Sequence, residues 1–298
     1  MTAKHIVGIG GAHVDWIAQM SLPEVPGASM PGRVETHVGG CCLNSLRVIA
    51  QLMPDHTITM ISARGGDGAG EQVQSAMEEA GLIDQGAVFL DRKTPTYTAV
   101  LSDRGDLVAA VADMRLYEDA LPRHLGRREV RATLNDANIL VVDTNLPATG
   151  IEKLVSSFEG LVIGFAISPA KARRLIESGP HIDLVFMNAK EHAALGDLKA
   201  VGLKKAVITN GTDDVLVLED GDAFRLPVVP ETGIVDVTGA GDALAGATIA
   251  AHLKDPSEKL WKAVNIGIAA ATQTVRAHGP IASLDWAMLT TKAKPNAH

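Results

Sequence analysis

The residues best suited to chemistry lie in one stretch near the end of the chain, Asp236-Val237-Thr238-Gly239-Ala240-Gly241-Asp242. Its small residues, 238–241, lead directly into an Ala-rich segment of helical character. Small residues let the backbone come close to a ligand, and the first amides of a helix have no partner within it and lie at the positive end of its dipole. The stretch therefore predicts an anion-binding site with the carboxylate of Asp242 beside the anion.

A carboxylate beside a bound anion is unfavourable for simple binding, but it suits phosphoryl transfer. The carboxylate can accept the proton of an attacking hydroxyl, while main-chain amides stabilise the charge that develops on the transferred group. We therefore assign Asp242 as the catalytic base and the segment Gly239, Ala240 and Gly241 as the source of the amides. The alternative is a turn that caps a core helix, but the acids at both ends of the stretch favour the chemical interpretation.

Composition disfavours several classes of function. The net charge is -8, aromatic residues make up 3% of the chain, and no cluster of Lys and Arg stands out, so nucleic acid and acidic membranes are poor partners. No apolar run could cross a membrane, and residues 1–4 lack the features of a signal peptide. The only two cysteines, Cys41 and Cys42, are adjacent, which disfavours a disulfide or a zinc site. We expect a cytoplasmic protein with a small-molecule substrate.

The elements that must position Asp242 follow an alternation of strands and helices. Apolar runs of strand length occur at residues 4–9, 57–63, 138–143, 161–167, 182–187 and 205–209. Helical stretches separate them, and two long ones follow at about 239–253 and 258–276. This alternation predicts a mostly parallel sheet covered on both faces, which is a three-layer α/β/α domain.

Two segments depart from this alternation. Residues 96–102 and 107–111 predict two strands joined by a polar loop that contains Gly105, a pattern typical of a hairpin. Residues 33–38 predict a further strand after a segment rich in Pro and Gly. Together, about 16–38 and 95–113 predict a small β-sheet lid on a single domain that spans residues 1–298. The tail, 292–298, is expected to be frayed.

The stretch Asp236–Asp242 resembles the C-terminal signature of the ribokinase-like (PfkB) sugar and nucleoside kinases. Further motifs resemble that family in the family's order: Gly10-Gly11-Ala12-His13-Val14-Asp15, Gly39-Gly40-Cys41-Cys42-Leu43-Asn44, Asn188-Ala189-Lys190-Glu191 and Thr209-Asn210-Gly211. The resemblance implies a ribokinase-like fold and a kinase that uses ATP and Mg2+. It also implies a monovalent cation such as K+ near Asp236, and a homodimer formed through the lid.

The resemblance also implies a substrate site built from the first half of the chain. Asp15 would accept sugar hydroxyls, Asn44 would contact the same ring, and Gly39 and Gly40 would let the substrate approach the backbone. On the residues alone, Asp15 could instead cap a turn, and the two glycines could form a plain strand-to-helix turn. Three further polar residues are predicted to contact the base or the ribose: Thr98, Asp113 and Asn145.

The second half of the chain would hold the nucleotide and the metal. The predicted nucleotide contacts are Asn188, Thr209, Gly211, Thr238 and Asn265. Glu191 would orient water on magnesium, which keeps most of its water ligands in proteins. The alternatives are a capping box formed by Asn188 and Glu191, a β-turn at residues 209–211, and a plain helix-surface role for Asn265.

The substrate prediction depends on a looser likeness within the family. The hairpin Thr96-Tyr97-Thr98-Ala99-Val100-Leu101 with Ala112-Asp113-Met114 resembles the lid of pseudouridine kinases, and Val142-Asp143-Thr144-Asn145-Leu146 resembles their acid-x-Asn strand end. The favoured reaction is therefore phosphorylation of the 5′-hydroxyl of pseudouridine. Phosphorylation of ribose, adenosine, another nucleoside or another sugar remains open, and a non-catalytic nucleoside sensor is less favoured.

Four positions weaken or exclude particular assignments. A nicotinamide-dependent enzyme is disfavoured because His13 stands where the dinucleotide fingerprint requires a Gly or Ala. Three residues depart from the kinase family. Cys42 replaces a Gly or Ala, Ser168 replaces an Asp before Pro, and Asp214 replaces a second Gly.

Overall fold

The computed structural model describes residues 3–179, 181–229 and 231–290. The strands are β1 (His5–Ile9), β2 (His13–Met20), β3 (Gly32–Gly39), β4 (Thr57–Ile61), β5 (Ala63–Gly65), β6 (Ile83–Asp84), β7 (Ala87–Phe89), β8 (Thr96–Leu101), β9 (Leu107–Asp113), β10 (Ile139–Asp143), β11 (Leu161–Phe165), β12 (Leu184–Asn188), β13 (Lys205–Thr209), β14 (Val215–Glu219) and β15 (Asp222–Leu226). The helices are α1 (Cys41–Leu52), α2 (Gly68–Glu79), α3 (Arg115–Asp119), α4 (Leu121–His124), α5 (Arg128–Asp136), α6 (Ala148–Val155), α7 (Pro169–Ala172), α8 (Arg174–Glu177), α9 (Ala189–Leu195), α10 (Ala240–Lys254), α11 (Leu260–Thr274) and α12 (Trp286–Thr290).

The main sheet contains nine strands in the order β15-β14-β13-β12-β11-β10-β1-β4-β6 within the described residues. All pairings from β6 to β13 are parallel, and only β14 and β15 join antiparallel. Every residue of β10 is buried, as expected for a strand covered on both faces. The prediction of a mostly parallel, helix-covered sheet is confirmed.

Two hydrophobic clusters lie on opposite faces of this sheet. Successive strand side chains point to opposite faces, so Ile139 and Val141 of β10 join one cluster, whereas Leu140 and Val142 join the other. The first cluster includes residues of α1, α2, α10, α11 and α12, and the second includes residues of α3 to α9. The result is the predicted three-layer arrangement.

The β14–β15 hairpin was not predicted. Its turn, Asp220-Gly221, has positive φ angles of 53° and 99° at the two residues, as a two-residue hairpin turn of this hand requires. The flanking residues of β14 alternate between buried and half-buried. An Asp-Gly pair between alternating apolar residues is a strong hairpin signal, so this element could have been predicted from the sequence.

Helix α10 lies between α1 and α11 and is buried along most of its length. Its neighbours approach too closely to admit side chains at two positions. A Cβ at Gly246 would lie 2.6 Å from the Ser45 carbonyl oxygen on α1, and a Cβ at Gly267 of α11 would lie 2.2 Å from Thr248 Oγ1. The small residues of α10 and α11 therefore let α1 and α11 pack directly against α10.

A separate four-stranded sheet, which we call the lid, has the order β3-β2-β8-β9. In its register Asp15 pairs with His37 and Tyr97, whereas the next residue, Trp16, pairs with Thr98. Paired residues share a face, so the lid has an inner face with Asp15 and an outer face with Trp16. The lid strands lie within residues 13–39 and 96–113.

Smaller differences from the sequence prediction concern element ends. The last long helix is shorter than the predicted 258–276 and spans Leu260–Thr274. The strand β2 was not predicted as a separate element. The tail 292–298 lies outside the described residues. No helix in the described part of the chain has the length and hydrophobicity needed to span a bilayer.

Candidate active site

Several strands of the parallel sheet end at one edge, and a glycine or polar residue stands at or just after four of these ends. Gly10 follows β1, and Asp143, Asn188 and Thr209 close β10, β12 and β13. Open parallel sheets bind ligands at the carboxyl ends of their strands. The N-terminus of α10 reaches the same edge, because Gly241 and Thr209 line one cleft.

Asp242 lies half-buried in the first turn of α10. Its Oδ2 accepts a hydrogen bond from Asn44 Nδ2 at 2.8 Å, and Ser45 Oγ donates to its backbone carbonyl at 3.2 Å. Burial raises the pKa of the Asp242 carboxyl, the Asn44 hydrogen bond opposes this rise, and the charge of Asp15 adds to it. Its carboxylate forms no ion pair within the described ranges. It is therefore placed to accept a proton.

The start of α10 presents unpartnered main-chain donors. Gly239 caps the helix with a left-handed φ of 75°, and a Cβ there would lie 2.2 Å from the Pro280 carbonyl oxygen, so only glycine fits. The Ala243 amide donates back to the Gly239 carbonyl at 2.8 Å. The amides of Gly241 and Asp242 have no acceptor among the described residues. Two free amides at a helix start are suited to binding an anion, and here they lie next to the Asp242 carboxylate.

The loop before α10 is held by Asp236. Its Oδ1 accepts from the Thr238 amide at 2.8 Å, and its Oδ2 accepts from the Gly279 amide at 3.1 Å. Burial would raise the pKa of Asp236, but these hydrogen bonds bring it below its ordinary value. The Ala240 amide donates to the Val237 carbonyl at 3.3 Å, so it stabilises the turn and is not free to bind a ligand.

An apolar cleft of about 300 Å³ opens beside these donors. The predicted residues Thr209 and Gly211 line it, together with Ala240 and Gly241 of α10. Its remaining walls are mostly aliphatic and come from Val215, Val228, Val229, Ile234, Val237, Leu244, Ile268 and Val275. Asn265 does not line this cleft. It lies on the exposed side of α11, where its side-chain Nδ2 donates to the Trp261 carbonyl at 3.2 Å. The cleft has the size and lining of a small-ligand site.

Asp15 stands on the inner face of the lid. A Cβ at Gly39 would lie 2.1 Å from Asp15 Oδ2, and a Cβ at Gly40 would lie 2.2 Å from the Gly11 carbonyl oxygen. Gly40 also has a φ of 112°. These two glycines therefore make room for the protein's own Asp15 and Gly11, which is a different reason from the substrate approach that the sequence suggested.

Two acceptor oxygens in this region are buried without a hydrogen-bond partner among the described residues, Asp15 Oδ1 and Asn44 Oδ1. Asn44 must direct Nδ2 at the Asp242 carboxylate, so its carbonyl oxygen points elsewhere. Leaving buried acceptors unpaired is costly, and hydroxyl groups of a ligand would satisfy them. The arrangement is suited to a polyhydroxylated molecule next to the carboxylate.

Comparison with known proteins identifies the family of this chain. A model of the pfkB family carbohydrate kinases matches residues 3–287. The chain belongs to the pfkB family. It is therefore a phosphotransferase that acts on a hydroxyl group of a sugar or nucleoside.

Three relatives illustrate the range within the pfkB family. A carbohydrate kinase from Agrobacterium tumefaciens has 36% sequence identity and a TM-score of 0.81, with 96% of this chain and 95% of that chain covered. The pseudouridine kinase of Escherichia coli (strain K12) is 22% identical over 260 residues, which cover 80% of this chain and 81% of the relative. An Arabidopsis thaliana ribokinase, determined with ribose and ATP, shares the fold at 17% identity and a TM-score of 0.80, with 98% and 100% covered.

The pair Asn188 and Glu191 forms the capping box that the sequence left open. Asn188 Oδ1 accepts from the Glu191 amide at 3.0 Å, and both Glu191 oxygens accept from Asn188, one from its amide and one from Nδ2, each at 2.8 Å. Burial raises the pKa of Glu191 to about 7. Asn188 therefore ends β12 and caps α9. The predicted magnesium role of Glu191 stays a prediction. No group of three potential metal ligands occurs in the described ranges.

The lid register separates Thr98 and Asp113 from the rest of the site. Thr98 pairs with Trp16 and Asp113 pairs with Thr96, so both side chains lie on the outer face, opposite to Asp15. Asp113 is also exposed and bound at 2.9 Å through each oxygen to the guanidinium of Arg115. Their side chains do not reach the region around Asp15 and Asp242.

Asn145 lies near the site, but it is buried against Gly11. Its Nδ2 is close to Gly11, and Lys171 Nζ donates to its Oδ1 at 3.3 Å. Arg174 donates to the carbonyls of residues 144–146, which fixes the loop after β10. Asn145 therefore supports Gly11 in this structure.

Sequence reasoning did not assign a role to Asp143. This fully buried carboxylate ends β10 and accepts from the Gly11 amide at 2.7 Å and the Asn145 amide at 2.8 Å. Burial raises the pKa of Asp143. A Cβ at Gly10 would lie 2.4 Å from its carboxylate, which explains the glycine at that position. An acid at the end of an apolar strand was the available signal.

The three departures from the family pattern have different settings. Cys42 is buried and its Sγ lies 4.0 Å from the Val141 carbonyl oxygen, so its side chain packs against the main sheet. Ser168 precedes α7, where its carbonyl accepts from the Ala172 amide at 2.8 Å. Asp214 is exposed at the turn between β13 and β14. None of the three contacts Asp242.

Proposed function

We propose that this pfkB kinase transfers the γ-phosphoryl group of ATP to the 5′-hydroxyl of a ribosyl substrate, with pseudouridine as the favoured substrate. The observation that carries the proposal is the position of Asp242. Its carboxylate stands beside two unpartnered amides at the N-terminus of α10 and within electrostatic range of Asp15 on the lid. A base for the hydroxyl and donors for the phosphoryl oxygens therefore meet at one point.

The chain's own residues account for orientation and proton transfer. Asp15 Oδ1 and Asn44 Oδ1 accept from two hydroxyls of the sugar, which directs a third hydroxyl at Asp242. Asp242 takes the proton of that hydroxyl as it attacks, and its raised pKa makes it a better proton acceptor. The amides of Gly241 and Asp242 stabilise the charge that develops on the transferred group. The lid over the site excludes water.

The apolar cleft beside α10 is the proposed site of the adenine ring. Its aliphatic walls suit a flat ring, and its mouth adjoins the amides of Gly241 and Asp242, so the phosphates would extend toward the base. Thr209 and Gly211 line the cleft, and Thr238 lies in the loop next to it. Asn265 fits this proposal poorly, because its amide is engaged on the exposed side of α11.

The proposed reaction also involves magnesium and a monovalent cation. Bound magnesium would neutralise the charge of the nucleotide phosphates. The capping box holds the Glu191 carboxylate at the end of β12, so a water-mediated role fits its location. Asp236, held by the Thr238 and Gly279 amides, fits a loop that a monovalent cation such as K+ would stabilise.

A substrate panel tests the substrate and the reaction together. The purified chain with ATP and magnesium is assayed for ADP release on pseudouridine, uridine, adenosine and ribose, and the products are identified by mass. We expect the highest kcat/KM with pseudouridine. If ribose or adenosine reacts and pseudouridine does not, the substrate assignment is wrong and the kinase proposal stands. No turnover on any member would favour the nucleoside sensor.

The outer face of the lid supports a proposal of a homodimer. Trp16, Val34 and Val111 lie on this face and are 41%, 62% and 68% exposed. Exposed apolar surface of this kind on a sheet is typical of an association surface. We expect Val34→Asp to yield monomers in sedimentation velocity if wild type is dimeric. A wild-type protein that is monomeric at every concentration would rule the dimer out.

A further inference from the structure

Two buried side chains near Asp15 have no role in the proposed reaction. Tyr117 is fully buried on α3, the helix that directly follows the lid strand β9. Its hydroxyl donates to the Ala12 carbonyl at 2.8 Å and accepts from the Ala12 amide at 2.9 Å. Both hydrogen bonds therefore go to one residue, which lies between the strand β1 and the lid strand β2.

The second side chain, His13, connects Tyr117 to Asp15. Its Nδ1 lies 3.5 Å from the Tyr117 hydroxyl, and its Nε2 lies 3.3 Å from Asp15 Oδ1. The rings of His13 and Tyr117 are 6.4 Å apart and tilted. The contact to Asp15 lacks the geometry of an aligned hydrogen bond, so Oδ1 keeps capacity for a further donor.

The position of the Asp15 carboxylate is thus determined from two sides. Its Oδ2 packs against the Cα of Gly39, where no side chain fits. Its Oδ1 faces His13, which Tyr117 and Ala12 hold in place. A rotation of the carboxylate would bring it against the backbone of β3 or break the approach to His13.

We propose that Tyr117 and His13 are positioning residues that aim Asp15 Oδ1 at a substrate hydroxyl. They also link the position of Asp15 to the lid. Tyr117 lies on α3, which follows the lid strand β9, and Ala12 directly precedes the lid strand β2. The inference rests on the proposed function, since it takes the ligand of Asp15 to be a hydroxyl. Preorganised ligands lower the cost of binding, so these residues should act on substrate affinity.

The test compares three variants on the panel substrate with the highest kcat/KM. Tyr117→Phe removes the hydroxyl and keeps the ring, and His13→Leu removes both ring nitrogens. We expect KM for the alcohol substrate to rise about 10-fold in each, with KM for ATP unchanged, because one hydrogen bond to a charged group is lost or loosened. His13→Gln keeps an amide donor toward Asp15 and should recover most of the affinity.

A matched control separates positioning from simple destabilisation. His124 on α4 is also buried, and its Nε2 lies 2.9 Å from the carbonyl oxygen of Gln85, which lies between β6 and β7, and neither residue belongs to the proposed site. His124→Gln should lower the melting temperature and leave both KM values unchanged. Binding is measured in parallel as the shift in melting temperature that the alcohol substrate causes without ATP.

The outcomes distinguish the inference from the proposed function. If Tyr117→Phe and His13→Leu lower the melting temperature as His124→Gln does, with KM for the alcohol unchanged, the two residues are only structural and the inference is wrong, while wild-type turnover keeps the proposed function. If KM for ATP rises equally, the effect is not on Asp15 and the inference is also wrong. If wild type neither binds nor phosphorylates any alcohol of the panel, both fall together.

Discussion

The two walls of the proposed active site would hold their ligands by different means. The wall formed by α10 presents main-chain amides, and its side chains matter mainly by being small, as Gly239 shows. The wall formed by the lid and α1 presents side-chain oxygens of Asp15 and Asn44. Amides suit any phosphoryl group, whereas the placement of side-chain acceptors depends on one arrangement of hydroxyls. Changes on the first wall should therefore affect turnover of every substrate, and changes on the second should affect KM.

The largest effect should come from Asp242, which lies on α10 and accepts a hydrogen bond from Asn44 of the other wall. Asp242→Asn removes the proton acceptor and keeps the shape, so we expect kcat to fall about 1,000-fold for every substrate. ATP binding, measured by calorimetry, should persist. The control is Asp255→Asn at the far end of α10, where the carboxylate accepts hydrogen bonds from the amide and the hydroxyl of Ser257. Near-normal turnover of Asp242→Asn would remove it as the base.

On the α10 wall, the next largest effect should come from Gly239→Ala. The added Cβ meets the Pro280 carbonyl and the backbone has a φ of 75°, so the amides should move out of line. We expect kcat to fall about 100-fold, with strain of about 1 to 3 kcal/mol in the free energy of unfolding. Gly221→Ala, at a φ of 99° with no atom near its Cβ, should lose stability and keep kcat. Equal kcat values in the two variants would contradict the anion-binding role.

On the side-chain wall, Asn44→Ala should change both affinity and pH dependence. The Asn44 hydrogen bond lowers the pKa of Asp242, so its loss should raise that pKa. Because the base must be deprotonated to act, the acidic limb of the pH profile of kcat/KM should move to higher pH. We also expect KM for the alcohol to rise about 10-fold. A limb that stays in place or moves to lower pH would show that Asp242 is not the group that titrates.

The smallest effect should come from Glu191, which lies on α9. Its pKa is raised by burial to about 7, so the folded chain binds a proton more tightly than the unfolded chain, whose glutamate has the ordinary value of 4.5. Stability should therefore fall as pH rises from about 4.5 to 7. Glu191→Gln should reduce this slope in melting temperature against pH, and the exposed Glu177→Gln should not. An unchanged slope in Glu191→Gln would contradict the raised pKa.

Prediction from the sequence succeeded where a feature is contiguous along the chain. The alternation of apolar runs specified the parallel sheet, because strands covered on both faces must be apolar throughout. The stretch 236–242 forms the predicted helix start with free amides next to Asp242, the proposed base, since a helix start places neighbouring residues together. These features depend on local backbone geometry and need no knowledge of distant partners.

The parts that could not be predicted depend on pairing between distant segments. Thr98 and Asp15 appear equally suitable as polar lid residues, but the register of β2 with β8 puts them on opposite faces. A shift of one residue would exchange the faces, and single-sequence patterns do not fix that register. Tyr117 contacts Ala12 across more than a hundred residues of sequence, so nothing near either residue indicates the pair.

The tight packing of α10 on α1 at Gly246 has a consequence for how this enzyme could acquire new substrates. Asn44 and Asp242 stand on these two helices, which leave no room for a methyl group between Gly246 and Ser45. Asp242, the proposed proton acceptor, and its hydrogen-bond donor Asn44 therefore keep a fixed relative position. Mutations in the lid strands can reshape the recognised molecule without disturbing that pair, so the lid is the part of the chain where substrate preference is free to diverge.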